Sequence, residues 1–151
     1  MLKKITSLGA ATLLACSTTA HAAFLEGSLS FNGFFDTLGQ VVSTLDVFDI
    51  TDPGTAGGGS DDFAGVSGPA TTNDVDINNP AGVIYEIAGY TFTVNAIGLV
   101  TTNPLACNGG ECIDSKGFAM TGIVTGNGFD PTAFTGTWTG NGSCVGQGGQ
   151  G

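Results

Sequence analysis

The sequence predicts an all-β chain: a single β-sandwich or jelly-roll-like domain of about eight strands. Three observations carry that prediction. Gly, Thr, Asn and Asp are abundant while Glu, Gln, Arg and Lys are scarce, a mixture that favours strands and turns over helices. Ten phenylalanines, one tryptophan and two tyrosines, with many Val, Ile and Leu, supply the apolar surface of a core. Short apolar/polar alternations recur along the chain, separated by turn residues.

Residues 1–22 read as a bacterial-type signal peptide. Lys3-Lys4 forms the charged region, Ile5 to Ala15 a short apolar region, and Ala20-His21-Ala22 a small-residue cleavage site. The apolar run is too short to serve as a permanent membrane span. Leu13-Leu14-Ala15-Cys16 also fits a lipobox, which would make the product a lipoprotein anchored through Cys16. The domain then occupies residues 23–145, and residues 146–151 form a flexible glycine-rich tail.

Within the domain, Leu25, Gly27, Leu29 and Phe31 alternate with polar residues as a half-buried strand does. Val41 to Ile50 forms a second strand region, and Asp52-Pro53-Gly54 to Asp62 a long loop. Phe63 to Val66 fits a short strand, and Thr72 to Ile77 alternates through Val75 and Ile77. Val83 to Ile87 leads through Ala88-Gly89 into Tyr90 to Val94, the clearest amphipathic strand, which Ile97 to Val100 continues. Phe118 to Val124 is another strand, closed by Gly126-Asn127-Gly128, and Phe134 to Trp138 is the last.

Charge and missing side chains bound the function. Lys3, Lys4 and His21 lie in the leader, so Lys116 is the one basic side chain expected beside 13 acidic residues. Without histidine there is no Ser-His-Asp or Cys-His nucleophilic site and no histidine-ligated zinc. Without arginine there is no bidentate fork for phosphate. The chain is expected not to be an enzyme, and its acidity argues against nucleic acid or anionic lipid as partner.

Cys107-Asn108-Gly109-Gly110-Glu111-Cys112 suggests a local disulfide at a hairpin tip, which leaves Cys144 unpaired or intermolecular; a bridge from Cys144 to either of the two is the alternative. Asp74-Val75-Asp76-Ile77-Asn78 opens like a calcium loop, but Asn79 and Tyr85 stand where that loop needs glycine and glutamate. Asp61 and Asp62 lie in an irregular acidic segment. Calcium at Asp61, Asp62, Asp74 and Asp76 is therefore one reading, and polar strand faces and turns the other; no cofactor is otherwise expected. Trp138, Tyr85 and Tyr90 are candidates for a ligand platform, with burial in the core as the competing role.

The cysteines, Gly117-Phe118-Ala119-Met120-Thr121-Gly122, and Gly126-Asn127-Gly128-Phe129-Asp130-Pro131-Thr132 leading to Thr135-Gly136-Thr137-Trp138, together resemble bacterial exported β-domain proteins of the PEP-CTERM-associated type. Gly27 to Phe31 and Gly59 to Gly65 add to the likeness, although the Pro-Glu-Pro sorting signal is not among residues 1–151. The resemblance implies association with the bacterial surface or an exopolysaccharide matrix and supplies no catalytic residue. The expectation is a non-enzymatic secreted or cell-surface structural protein, an extracellular biofilm-matrix or self-assembling component whose partner is itself. The alternative is a module, with or without calcium, that binds extracellular polysaccharide or a surface protein.

Overall fold

A computed structural model describes residues 22–108 and 111–145; residues 1–21 with Cys16, where the signal peptide was expected, and residues 146–151, expected as a tail, lie outside the described residues. Among the described residues nine strands run β1 Ser30–Asp36, β2 Val47–Gly57, β3 Gly68–Pro69, β4 Thr71–Thr72, β5 Val75–Asp76, β6 Gly82–Ile87, β7 Tyr90–Asn108, β8 Glu111–Gly126 and β9 Phe129–Val145. They make two antiparallel sheets in a sandwich-like arrangement. In one, β1, β2 and β3 lie in order with β5 also on β2; in the other the order is β4-β6-β7-β8-β9. The helical turns among the described residues are two short 3-10 segments, Val42–Thr44 and Asp61–Phe63.

The strand expected at Tyr90 to Val94 opens β7 and buries Tyr90, Phe92 and Val94 on one face. Its hairpin partner β6 is joined to it by Ala88-Gly89, both with positive φ, and the β8–β9 turn Asn127-Gly128 has the same form. Two successive left-handed residues give the turn whose twist matches that of the flanking strands. The two turns lie side by side, and the Asn127 side-chain amide donates to the Ala88 carbonyl at 2.9 Å.

Four local expectations give way to longer-range pairing. The strand expected from Leu25 to Phe31 begins only at Ser30; upstream the chain is held by a bridge from Phe24 to Asp130 and by hydrogen bonds to the Ser60–Asp62 segment. The loop expected from Asp52 is still strand to Gly57, because β1 pairs along it from Asp49 to Gly57 across two register shifts. Phe63 closes a 3-10 turn instead of opening a strand, and its buried ring anchors the turn. Thr72 to Ile77 divides between sheets: Thr72 pairs with Tyr85, whereas Val75 pairs with Phe48.

That division closes one side of the sandwich. The chain leaves one sheet at β3 and enters the other at β4 through Ala70, which is buried and donates its N–H to the Gly54 carbonyl at 2.6 Å. The inner faces then fill with two apolar groups. Phe63, Tyr90, Phe92 and Val124 belong to the first, and Val42, Phe48, Phe118 and Met120 to the second. Tyr85 and Phe134 pack against both, so the groups form a continuous core. Phe48 is at its centre with no exposed surface.

Beyond Val94, where pairing with β6 ends, β7, β8 and β9 continue as a three-stranded arm. Two buried charges of β8 fasten the Val42–Thr44 turn to its inner face. Asp114 accepts from the Ser43 N–H at 2.8 Å, at the start of the turn. Lys116 donates to the Leu45 carbonyl just past its end, and its Nζ lies 3.2 Å from Asp46 Oδ1. The ammonium beside Asp46, aided by Asn78, holds that carboxyl below its ordinary pKa. Lys116, the one basic residue among the described residues, is thus a fold pin, with an acid at the positive end of the turn and a cation at the negative end.

Candidate functional site

One side of the sandwich stays open. There β1 and β9, each hydrogen-bonded to one neighbour, are the edges of their sheets and do not pair with each other. The seam between them is a cleft of about 920 Å³. Leu25, Gly27, Ser28 and Leu29 wall one end, tied down where the Leu25 N–H donates to Thr132 Oγ1 at 2.9 Å. Phe31 and Phe35 of β1, Phe134 and Trp138 of β9, and Tyr85, Phe92 and Met120 form its apolar lining. Thr72, Thr135, Thr137, Asn32 and Asn141 also border it. None of its lining residues is charged, although the chain carries 13 acids.

Local sequence sets this surface. Along β9 the inward positions are Phe134, Gly136, Trp138 and Gly140, alternating with exposed threonines. The Trp138 ring lies over Gly140, where a Cβ would come within 2.3 Å of it; only glycine leaves the space. The indole stacks on Phe118 at 4.9 Å and meets Phe48 at 4.2 Å and Phe35 at 5.6 Å. Tyr85 stacks on Phe31 at 4.1 Å, and burial pushes its hydroxyl above the ordinary tyrosine pKa.

Of the three platform candidates, Trp138 and Tyr85 line the cleft while also packing on the core. Tyr90 is absent from the lining: it is buried against Phe63, and its hydroxyl donates to the Asp62 carbonyl at 3.1 Å. Phe31, Phe35 and Phe134 were not singled out from the sequence. The available signal was the charge-free character of residues 27–35 and 131–151 around them.

The four acids singled out for calcium lie in two places and bond locally. Asp62 accepts from the Glu26 N–H at 2.8 Å, and Asp61 from the Ser60 hydroxyl at 3.1 Å. Asp74 accepts from the Ile50 N–H at 3.0 Å, and Asp76 from the N–H groups of Asn78 and Asn79 at 2.8 and 3.2 Å. Among the described residues no three Asp, Glu, His or Cys side chains gather where they could hold a metal ion. The same residues contain no helix long and apolar enough to cross a membrane.

Cys107 and Cys112 stand opposite each other near the arm's tip and are joined as a disulfide. On its other side Cys112 is in register with Cys144 of β9, whose side chain lies outside the described residues.

The arm carries a second open feature. From Asn95 to Asn108 the β7 edge away from β8 has no partner among the described residues. Leu99 is 77% exposed and Leu105 45%, and no charged residue occurs from Ile87 to Gly110. No family model, curated protein or solved structure matches the chain.

Proposed function

We propose that this chain is a non-enzymatic, secreted or cell-surface structural protein that assembles with copies of itself in an extracellular, biofilm-type matrix. The observation that carries the reading is the unpaired outer half of β7. An edge strand presents a row of free N–H and C=O groups, and monomeric β proteins blunt such edges with lysine, inward charges, proline, bulges or a covering segment. Here the edge is uncharged and carries exposed leucines; its blunting is confined to ladder irregularities at Val94/Ala96, Ile97/Val100 and Asn103/Ala106, the last holding Pro104. The absence of arginine, and of any histidine beyond His21, supports a structural role over a catalytic one.

Sedimentation velocity of the chain beginning at Ala23, over a wide concentration range, tests the reading. Oligomers growing with concentration are expected, and more of them at physiological than at low salt, because screening relieves repulsion between acidic copies. A monomer at every concentration in physiological salt defeats it.

The cleft favours a second reading, a polysaccharide-binding module. Phe31, Tyr85 and Trp138 supply ring faces, and threonine and asparagine supply hydrogen bonds, as sugar recognition needs. Saturable retention on matrix glycans, competed by soluble fragments, would support it; no retention on any glycan removes it. Calcium has no step in either reading.

A further inference from the structure

Two incomplete surfaces lie at different places on the same chain: an open cleft between two sheet edges, and a strand edge without a partner. We infer that they are halves of one contact, in which the outer β7 segment around Ala96–Asn103 of one copy lies in the β1–β9 cleft of the next. This rests on the self-assembly reading and specifies its geometry.

Charge selects a second copy as occupant. At a formal charge of −10, most faces of the molecule repel an identical face. The cleft lining has no charge, and residues 87–110 and 131–151 are the longest charge-free stretches outside the leader. The cleft and the β7 edge are thus surfaces on which two such acidic molecules can approach without burying a carboxylate. Burying an unpaired carboxylate elsewhere would carry a large desolvation cost.

Length and bonding chemistry agree. Residues 96–103 in extended form span about 26 Å, and the seven residues of β1 about 23 Å. Free backbone groups on β1 and β9 can pair with those of an inserted strand, the mode by which sheets accept an added strand. Its alternate side chains would meet the Phe31, Phe134 and Trp138 rings. Cleft and edge are different surfaces of one molecule, so the contact is heterologous and repeats head to tail into an open chain unless rotation closes a ring.

The test uses two variants of the chain beginning at Ala23, each breaking one half. Leu99→Asp puts a carboxylate on the β7 edge at an exposed position. Gly136→Asp puts one in the cleft, where a Cβ would meet only the flexible Met120 side chain, at 3.3 Å. Each variant alone should stay monomeric, and an equimolar mixture should give a 1:1 heterodimer that grows no further. A peptide of residues 96–103 should also shift the emission of Trp138, the single tryptophan, when titrated into the Leu99→Asp monomer. A second cleft substitution should weaken that binding about tenfold or more.

If Gly136→Asp assembles as the unaltered chain does, copies join by their β7 edges, and this inference falls while self-assembly stands. A peptide that causes no saturable shift likewise overturns the inference alone. If the unaltered chain never leaves the monomer, both readings fall. Thr137→Lys, at an exposed position on the cleft rim, replaces Gly136→Asp should that variant not fold.

Discussion

Replacing Lys116 with methionine removes the ammonium and keeps an unbranched side chain to fill the same space. In the native fold the Lys116 side chain is 7% exposed and its Nζ donates to the Leu45 carbonyl. A hydrogen bond to a charged group contributes about 1.5–3 kcal/mol, and that is the expected loss. The ion pair to Asp46 adds little, because that carboxylate is 62% exposed and solvated. At about 4 °C per kcal/mol for a domain of this size, the melting temperature should fall by about 6–12 °C. Urea unfolding followed by Trp138 emission measures the loss directly, and an unchanged m-value would show that compactness is preserved. Lys116→Met within about 0.5 kcal/mol of the parent would refute the pin, since that is the range of ordinary surface substitutions. The pH profile gives an independent check. Asp46 has a depressed folded-state pKa, so its contribution is present above the ordinary carboxyl value of 3.8 and fades as pH falls through the lower folded value. Lys116→Met should weaken that acid-side dependence, leaving the part that Asn78 supplies.

Three other outcomes follow from the packing. Gly122→Ala should destabilise by about 3 kcal/mol or prevent folding, because its Cβ would stand 2.0 Å from the Thr93 carbonyl oxygen across the β7–β8 ladder; a melt within a few degrees of the parent would contradict this. Replacing Cys107 and Cys112 together by serine should cost no more than about 2 kcal/mol, the chain-entropy value for so short a loop, and leave the far-ultraviolet circular dichroism unchanged. Collapse of the whole fold in that variant would show that the arm's tip is essential to the sandwich. Spectrophotometric titration should find Tyr85 ionising above the ordinary tyrosine value of 10.0, a component that Tyr85→Phe removes. Since the folded state keeps that proton longer, stability should fall as pH rises past 10.0.

Alternation was a sound guide wherever one face of a strand met the core. Tyr90 to Val94 and Phe118 to Val124 could be read directly because their apolar residues fall every second position onto the sandwich interior. The Cys107–Cys112 disulfide was also legible, from a four-residue glycine-rich gap. Strand length was not. Gly98, Pro104 and Pro131 look like local terminators, yet β7 runs 19 residues and β9 17. Register shifts absorb Gly98 and Pro104, and Pro131 lies on an edge strand, where a missing N–H is tolerated. The cleft was legible only in fragments, through Trp138 and Tyr85, because a surface built from β1, β9 and both sheet interiors has no local signature.

Composition and patterning by themselves determined the β class, the acidity, the sparse catalytic inventory and the hairpin disulfide, since each depends on residue type or on neighbours a few positions apart. Tertiary structure decided where the chain passes between sheets at Ala70, that β1 and β9 are left facing each other unpaired, and that Lys116 serves the Val42–Thr44 turn. The physical reason is that these depend on contacts between residues as many as 71 positions apart, as Lys116 and Leu45 are. Such pairings are settled by which burial satisfies the most backbone groups at once, a condition no short window of sequence contains.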